Sequence, residues 1–81
     1  MAVVRLFAAA RLAAGTGSDQ LPGATVDEVL SAAVERYGRG FAEVLQGCQI
    51  WLNGEPRAGD ASVVDEDEIA VLPPVSGGSD G

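Results

Sequence analysis

The chain has 81 residues, a formal net charge of -7 from twelve acidic and five basic residues, one cysteine and no histidine. It fits a single small domain whose core supplies about 3 to 5 kcal/mol of net stability without a staple, and it has no internal disulfide, too few ligands for a Cys/His metal site and no imidazole for the usual nucleophilic sets. The acidic balance repels phosphate backbones and favours a basic protein surface, so no nucleic acid partner is expected.

Residues 2–7, Ala2-Val3-Val4-Arg5-Leu6-Phe7, read as a first strand with both faces at least partly covered. The apolar stretch around it is interrupted by Arg5 and is too short to span a bilayer, so no membrane association is expected. Nothing marks it for export, and a reducing cytoplasm suits the lone thiol. Residues 8–14 are alanine-rich and read as one helical turn, followed by a loop at Gly15-Thr16-Gly17 and a more polar strand over 18–22, whose Pro22 suits a sheet edge.

The clearest helix starts at Thr25. Thr25-Val26-Asp27-Glu28 has capping-box spacing, and the two acids suit the positive end of the helix dipole. Val26, Val29, Leu30, Ala33, Val34 and Tyr37 recur at helical spacing and place one apolar stripe against a sheet, with Gly38 as the stop. Residues 41–46 read either as a second helix or as a compact loop that plugs the core with Phe41, Val44 and Leu45.

After Gly47 the period becomes strand-like over 48–52, then Asn53-Gly54 signals a hairpin in which both turn residues take positive φ. Pro56 again marks an edge, and residues 58–67 form a turn-rich passage. Glu68-Ile69-Ala70-Val71-Leu72 is the last strand. This order predicts an α+β domain, a mixed sheet with one main helix on one face, with the first and last strands side by side in the middle. Residues 1–72 would form the domain and residues 73–81 a flexible C-terminal tail leaving the centre of the sheet.

That tail is the chemically informative segment. Pro73 and Pro74 fix φ and favour an extended arm, and the paired glycine Gly77-Gly78 leaves the carbonyl open because nothing branches from Cα. While Ser79 is attached, the carbonyl of Gly78 is an amide, so chemistry there waits for cleavage between Gly78 and Ser79. Lysine is absent, so the chain cannot receive an isopeptide bond on its own side chains.

Val3 to Phe7 as opening strand, Leu21 to Val29 around the helix start, the Asn53-Gly54 hairpin and the run from Asp65 to Gly78 together resemble the MoaD/ThiS family of ubiquitin-like β-grasp sulfur carriers. The closing Leu72-Pro73-Pro74-Val75-Ser76-Gly77-Gly78 is most like the molybdopterin synthase small subunit and CysO-like branch. The resemblance implies a sulfur-donor protein without catalytic residues or permanently bound cofactor. An E1-like adenylating enzyme would activate the Gly78 carboxylate with ATP, and a persulfide would convert it to a thiocarboxylate. A sulfur-acceptor enzyme, such as a molybdopterin synthase large subunit or a thiosugar, thiazole or cysteine synthase, would then take the sulfur. The resemblance also implies that a JAMM-type protease removes residues 79–81, and it leaves open a second role as a protein modifier conjugated through Gly78 to lysines of other proteins.

Partner contacts are expected from Phe7, Leu72, Pro73, Pro74, Val75 and Ser76. Alternation puts Val4 and Leu6 on one face of the first strand and Val3, Arg5 and Phe7 on the other, with Ile69 and Val71 opposed to Ala70 and Leu72 in the last. Phe7 and Leu72 are therefore candidates for an exposed apolar patch beside the arm. Trp51 reads as either an interface anchor or a residue packed on the sheet. Asp65-Glu66-Asp67-Glu68 reads as a solvated acidic turn, and Cys48 as a small buried residue at a strand start, since nothing basic in sequence would stabilise its thiolate.

Overall fold

Strict alternation in the first and last apolar runs sets the sheet. In the computed structural model, which describes residues 1–74, β1 (Ala2–Leu6) buries Ala2, Val4 and Leu6, while β5 (Glu68–Leu72) buries Ile69 and Val71. The two strands lie parallel, with Val4 opposite Ile69 and Leu6 opposite Val71. Parallel neighbours need a long crossover. Here it contains α1 (Ala8–Ala14), β2 (Ser18–Leu21), α2 (Val26–Tyr37), α3 (Arg39–Leu45), β3 (Gln49–Leu52) and β4 (Glu55–Pro56). The five strands run in the order β2-β1-β5-β3-β4, and every pair except β1 with β5 is antiparallel. This is the mixed β-grasp sheet expected, with β5 in the middle. The proline-bearing strand β4 lies at one edge, and Pro22 directly follows β2 at the other.

Buried residues of all three helices, Ala10, Val26, Val29, Ala33 and Phe41, join the inward-facing sheet residues in one core cluster. α2, with 12 residues, is the one main helix expected, and two seven-residue helices pack beside it. Residues 8–14 make two turns, because Ala10 is wholly buried and Gly15, at φ 77°, closes the helix with its amide on the Arg11 carbonyl. Of the two readings of residues 41–46 the helix holds and the loop does not: α3 starts at Arg39, ends at Leu45 and fills the core with Phe41, 0% exposed and edge-on to Tyr37. Gly38, at φ 98°, serves as the cap of both α2 and α3. Cys48 does not start a strand. Its amide is taken by the Leu45 carbonyl at 3.0 Å in the turn after α3, so the ladder begins at Gln49.

The start of α2 is held twice. Thr25 Oγ1 accepts from the Glu28 amide at 3.2 Å, as the capping spacing requires, but the Glu28 carboxylate reaches the amide of Ala24 and not that of Thr25. The turn-rich passage then supplies carbonyls to the free amides of the first turn: Val26 donates to Ala61 at 3.0 Å and Asp27 to Gly59 at 2.8 Å. Asn53 and Gly54 take φ of 52° and 85°, the positive values that the hairpin demands.

The far end of α2 is tied to the edge strand β2. The Tyr37 hydroxyl donates to Asp19 Oδ2 at 2.6 Å, and Arg36 Nε lies 3.1 Å from the same oxygen. The Tyr37 bond is the largest effect holding the Asp19 carboxyl below its ordinary range, while burial first and Asp19 second push the Tyr37 phenol up to about 12. Because the Asp19 value is depressed, its contribution to stability is present above the ordinary carboxylate range and lost as pH falls through the folded value. Because the Tyr37 value is raised, its contribution is intact below pH 10.0 and lost as pH rises towards 12. Tyr37→Phe is expected to cost about 1 kcal/mol at neutral pH and to remove the alkaline loss, both read from urea unfolding across pH. An unchanged alkaline limb in the variant would assign that loss to other groups.

Among the described residues no helix is long and apolar enough to cross a membrane.

Candidate functional site

With the helices on one side, the other face of the sheet is open. Strand register places Ser18, Arg5, Ala70, Trp51 and Pro56 in one row across all five strands of that face. Leu72 and Gln49 stand opposite one another in the next row, towards the end where β5 leads into Pro73. Phe7 directly follows Leu6, whose partner is Val71, so it emerges at that same end. Its extended backbone and the positive φ of Ala8 turn the chain sharply there, and the ring is 44% exposed.

Val3, Trp51, Ala70 and Leu72 are half-buried on this face, with the charged Arg5 and Glu68 beside Val3. Arg5 Nε is paired with Glu68 Oε2 at 2.8 Å, both side chains about half exposed. Such a pair contributes little to stability but fixes where the charge stands. Trp51 lies across from the small Ala70, and its indole N–H donates to Gln49 Oε1 at 3.2 Å. Trp51 thus packs on the sheet, as one of its two readings has it, and remains half-exposed. Arg5, Gln49 and Glu68 were not among the candidate residues. The alternation in β1, β3 and β5 was the available signal, but only the register sets Gln49 beside Leu72 at the tail end, with Arg5 and Glu68 paired on the same face further back along β5.

The base of the tail is concave. Gly47, Gln49, Leu72, Pro73 and Pro74 line a hollow of about 550 Å³, with Pro73 half-buried and Pro74 exposed. A Cβ on Gly47 would make only ordinary contact with Pro74 Cδ, at 4.0 Å. The expected partner contacts at Val75 and Ser76, the expected reacting residues Gly77 and Gly78, and the expected cleavage position before Ser79 lie outside the described residues.

Two other candidates have structural roles. Cys48 is half-buried, its thiol donates to the Val44 carbonyl at 3.2 Å, and burial pushes its pKa up, the reverse of what an activated thiolate needs. The acidic turn is only partly solvated, which corrects the reading of a solvated run. Asp65 and Glu66 are exposed, but Asp67 accepts from Asn53 Nδ2 and the Val64 amide, both at 2.9 Å. Asn53 Oδ1 in turn accepts from the Glu68 amide at 2.9 Å. These bonds, led by that from Asn53, hold the Asp67 carboxyl below its usual range and lock the hairpin to the start of β5. Among the described residues no group of three or more His, Cys, Asp or Glu side chains is arranged to hold a metal ion.

A model of the ThiS family matches residues 4–78, so its last matched residue is Gly78. Among curated proteins no significant match is found. Several solved structures are similar over nearly the whole length. Small archaeal modifier protein 1 from Methanosarcina acetivorans is 32% identical, with a TM-score of 0.85 over 95% of this chain and 95% of that one. The BexX/CysO complex from Amycolatopsis orientalis contains a chain that is 25% identical, with a TM-score of 0.81 over 96% of this chain and 100% of that one. The complex of subunits 1 and 2 of the molybdopterin-converting factor from Helicobacter pylori contains one that is 28% identical, with a TM-score of 0.70 over 95% of this chain and 97% of that one.

Proposed function

The chain belongs to the ThiS family of small sulfur-carrier and ubiquitin-like proteins, and from that membership we propose that it carries sulfur as a thiocarboxylate on Gly78. The observation that carries this reading is the placement of the tail base. β5 is the central strand, it leads straight into Pro73-Pro74, and the open face lies beside that exit. A partner that docks on this face would receive the tail in a fixed direction, so the entropy of locating the reacting carbon is reduced before chemistry begins.

Gly78 is followed by Ser79, so hydrolysis of that peptide bond, by a JAMM-type protease, comes first and leaves a free carboxylate. A carboxylate is a poor electrophile. Attack of its oxygen on the α-phosphate of ATP, in an E1-like enzyme, releases pyrophosphate and leaves an acyl-adenylate with AMP as leaving group. The terminal sulfur of a persulfide displaces AMP, and a thiol reduces the S–S bond of the resulting acyl disulfide to leave the thiocarboxylate. Its sulfur then acts as nucleophile in an acceptor enzyme that makes molybdopterin or another sulfur-containing metabolite. The likeness to chains solved in the BexX/CysO and molybdopterin-converting-factor complexes supports an acceptor-enzyme partner. In this scheme the chain is a protein substrate: ATP and catalytic groups belong to the partners, and a reducing cytoplasm preserves the thiocarboxylate.

A second reading is favoured by the likeness to small archaeal modifier protein 1, which is named as a modifier. The same adenylate could pass Gly78 to lysines of other proteins. A chain ending at Gly78, incubated with its adenylating enzyme, ATP and a sulfur source, is expected to exchange one oxygen for sulfur in its intact mass. Capture on partner lysines without free thiocarboxylate would favour the modifier, and absence of any adenylate would dispose of both.

A further inference from the structure

The outer surface of α2 carries a second feature that tail chemistry does not use. Asp27, Ser31 and Glu35 recur four residues apart and form one exposed ridge along the helix. On one side of it, a groove of about 620 Å³ between α2 and α3 is floored by the half-buried Leu30, Val34 and Leu45, with Asp27, Ser31 and Glu35 on its rim. On the other side a shallower hollow of about 520 Å³ is lined by Pro22, Gly23, Ala32 and the same ridge, with Glu28 added. Among the described residues, no basic side chain lines either one.

Asp27, Glu28 and Glu35 make no ion pair among the described residues. Among the described residues, Arg36 is paired with Asp19, Arg5 with Glu68 and Arg57 with Glu55, and none of these pairs reaches Asp27, Glu28 or Glu35. Glu28 is committed to the Ala24 amide, which leaves Asp27 and Glu35 as carboxylates facing solvent beside apolar side chains. The Asp27 carboxylate lies close to Gly59, where a Cβ would collide with it. An apolar floor with a negative rim is complementary to a helix that has leucine-like side chains at i, i+3 and i+4 and lysine or arginine on its flanks. A second copy of this chain is a poor occupant, since each copy carries a net charge of -7.

We propose that the α2–α3 groove is a second docking surface, which takes a basic amphipathic helix of a partner protein. It lies on the helical side of the domain, away from the open sheet face, so it stays available while the tail occupies an enzyme. A partner bound there could hold the carrier during its passage between activating and accepting enzymes.

The test uses the isolated 15N-labelled chain and needs no activating enzyme, so it stands or falls apart from the carrier reading. The probe is a synthetic helical peptide with leucines on one face and lysines on the other, alongside the same peptide with glutamate for lysine. Amide shifts confined to residues 27–35 and Leu45 are expected with the lysine peptide only. Glu35→Lys should weaken binding about tenfold, while Glu66→Lys, an equal change of charge at an exposed turn, should leave it within about twofold. The proposal is overturned by no binding, by shifts at Trp51 and Leu72 or spread over all acidic segments, or by equal weakening in the two variants. It is also overturned by concentration-dependent shifts at the groove without peptide, which would identify a second copy as occupant.

Discussion

Phe7→Asp is expected to slow adenylation of a chain ending at Gly78 by about thirtyfold in kcat/KM, the effect of losing an aromatic anchor worth about 2 kcal/mol, with the melting temperature unchanged or slightly raised. The ring is 44% exposed at the end of the sheet where the tail leaves, so its removal takes little from the core. Position 7 is also the N-cap of α1, where no side chain now caps the helix. An aspartate is a good N-cap residue, because its carboxylate can accept from a free amide of the first turn. The substitution thus separates docking from folding: it puts a desolvation cost on the partner's side of the molecule while favouring the local structure. Unchanged kcat/KM would remove Phe7 from the docking surface. A fall in melting temperature matching the lost activity would give it a structural role instead.

Phe41→Ala is expected to lower the unfolding free energy by about 3 to 5 kcal/mol and the melting temperature by on the order of 20 °C. Phe41 is the largest of the wholly buried side chains, and its ring meets Tyr37 edge-on with centroids 5.1 Å apart and planes at 68°. It also anchors α3 in the common core, so the cavity left behind cannot be refilled without moving that helix. A core of this size supplies about 3 to 5 kcal/mol of net stability, so the loss leaves the domain at the edge of unfolding. Phe41→Leu, which keeps most of the volume, should cost about 1 kcal/mol. Thermal unfolding of both variants is the check, and equal melting temperatures for Phe41→Ala and the parent would mean that α3 does not belong to the core.

Much of this architecture was legible because local signals agreed with the global arrangement. Val4 and Leu6 alternate with Val3 and Arg5, Ile69 and Val71 with Ala70 and Leu72, and the structure buries the first member of each set. Thr25, Gly38 and Asn53-Gly54 likewise stand where a cap, a stop and a hairpin turn are required. What the sequence concealed depended on tertiary contacts. Short alanine-rich segments are marginal helices by themselves, and burial of Ala10 is what extends α1 to two turns. Cys48 has strand-like neighbours, but its amide is claimed by the turn after α3. Asp67 looked like one acid among four until the register brought Asn53 within 2.9 Å of it.

The candidate site was legible in the same uneven way. The exposed Phe7 and the proline-bearing exit after Leu72 follow from alternation and chain order. The apolar row through Trp51 and Ala70, with its Arg5–Glu68 pair, follows only from the pairing of β3 and β1 with β5.

The central claim is that Gly78 is an acyl-transfer handle which becomes competent once its bond to Ser79 is cut. The most direct measurement compares the full chain with one ending at Gly78, each incubated with the adenylating enzyme, ATP and a sulfur source and then weighed intact. The shorter chain is expected to carry sulfur in place of one terminal oxygen, and the longer chain to keep its original mass. A shorter chain that retains its carboxylate and forms no adenylate would contradict the claim.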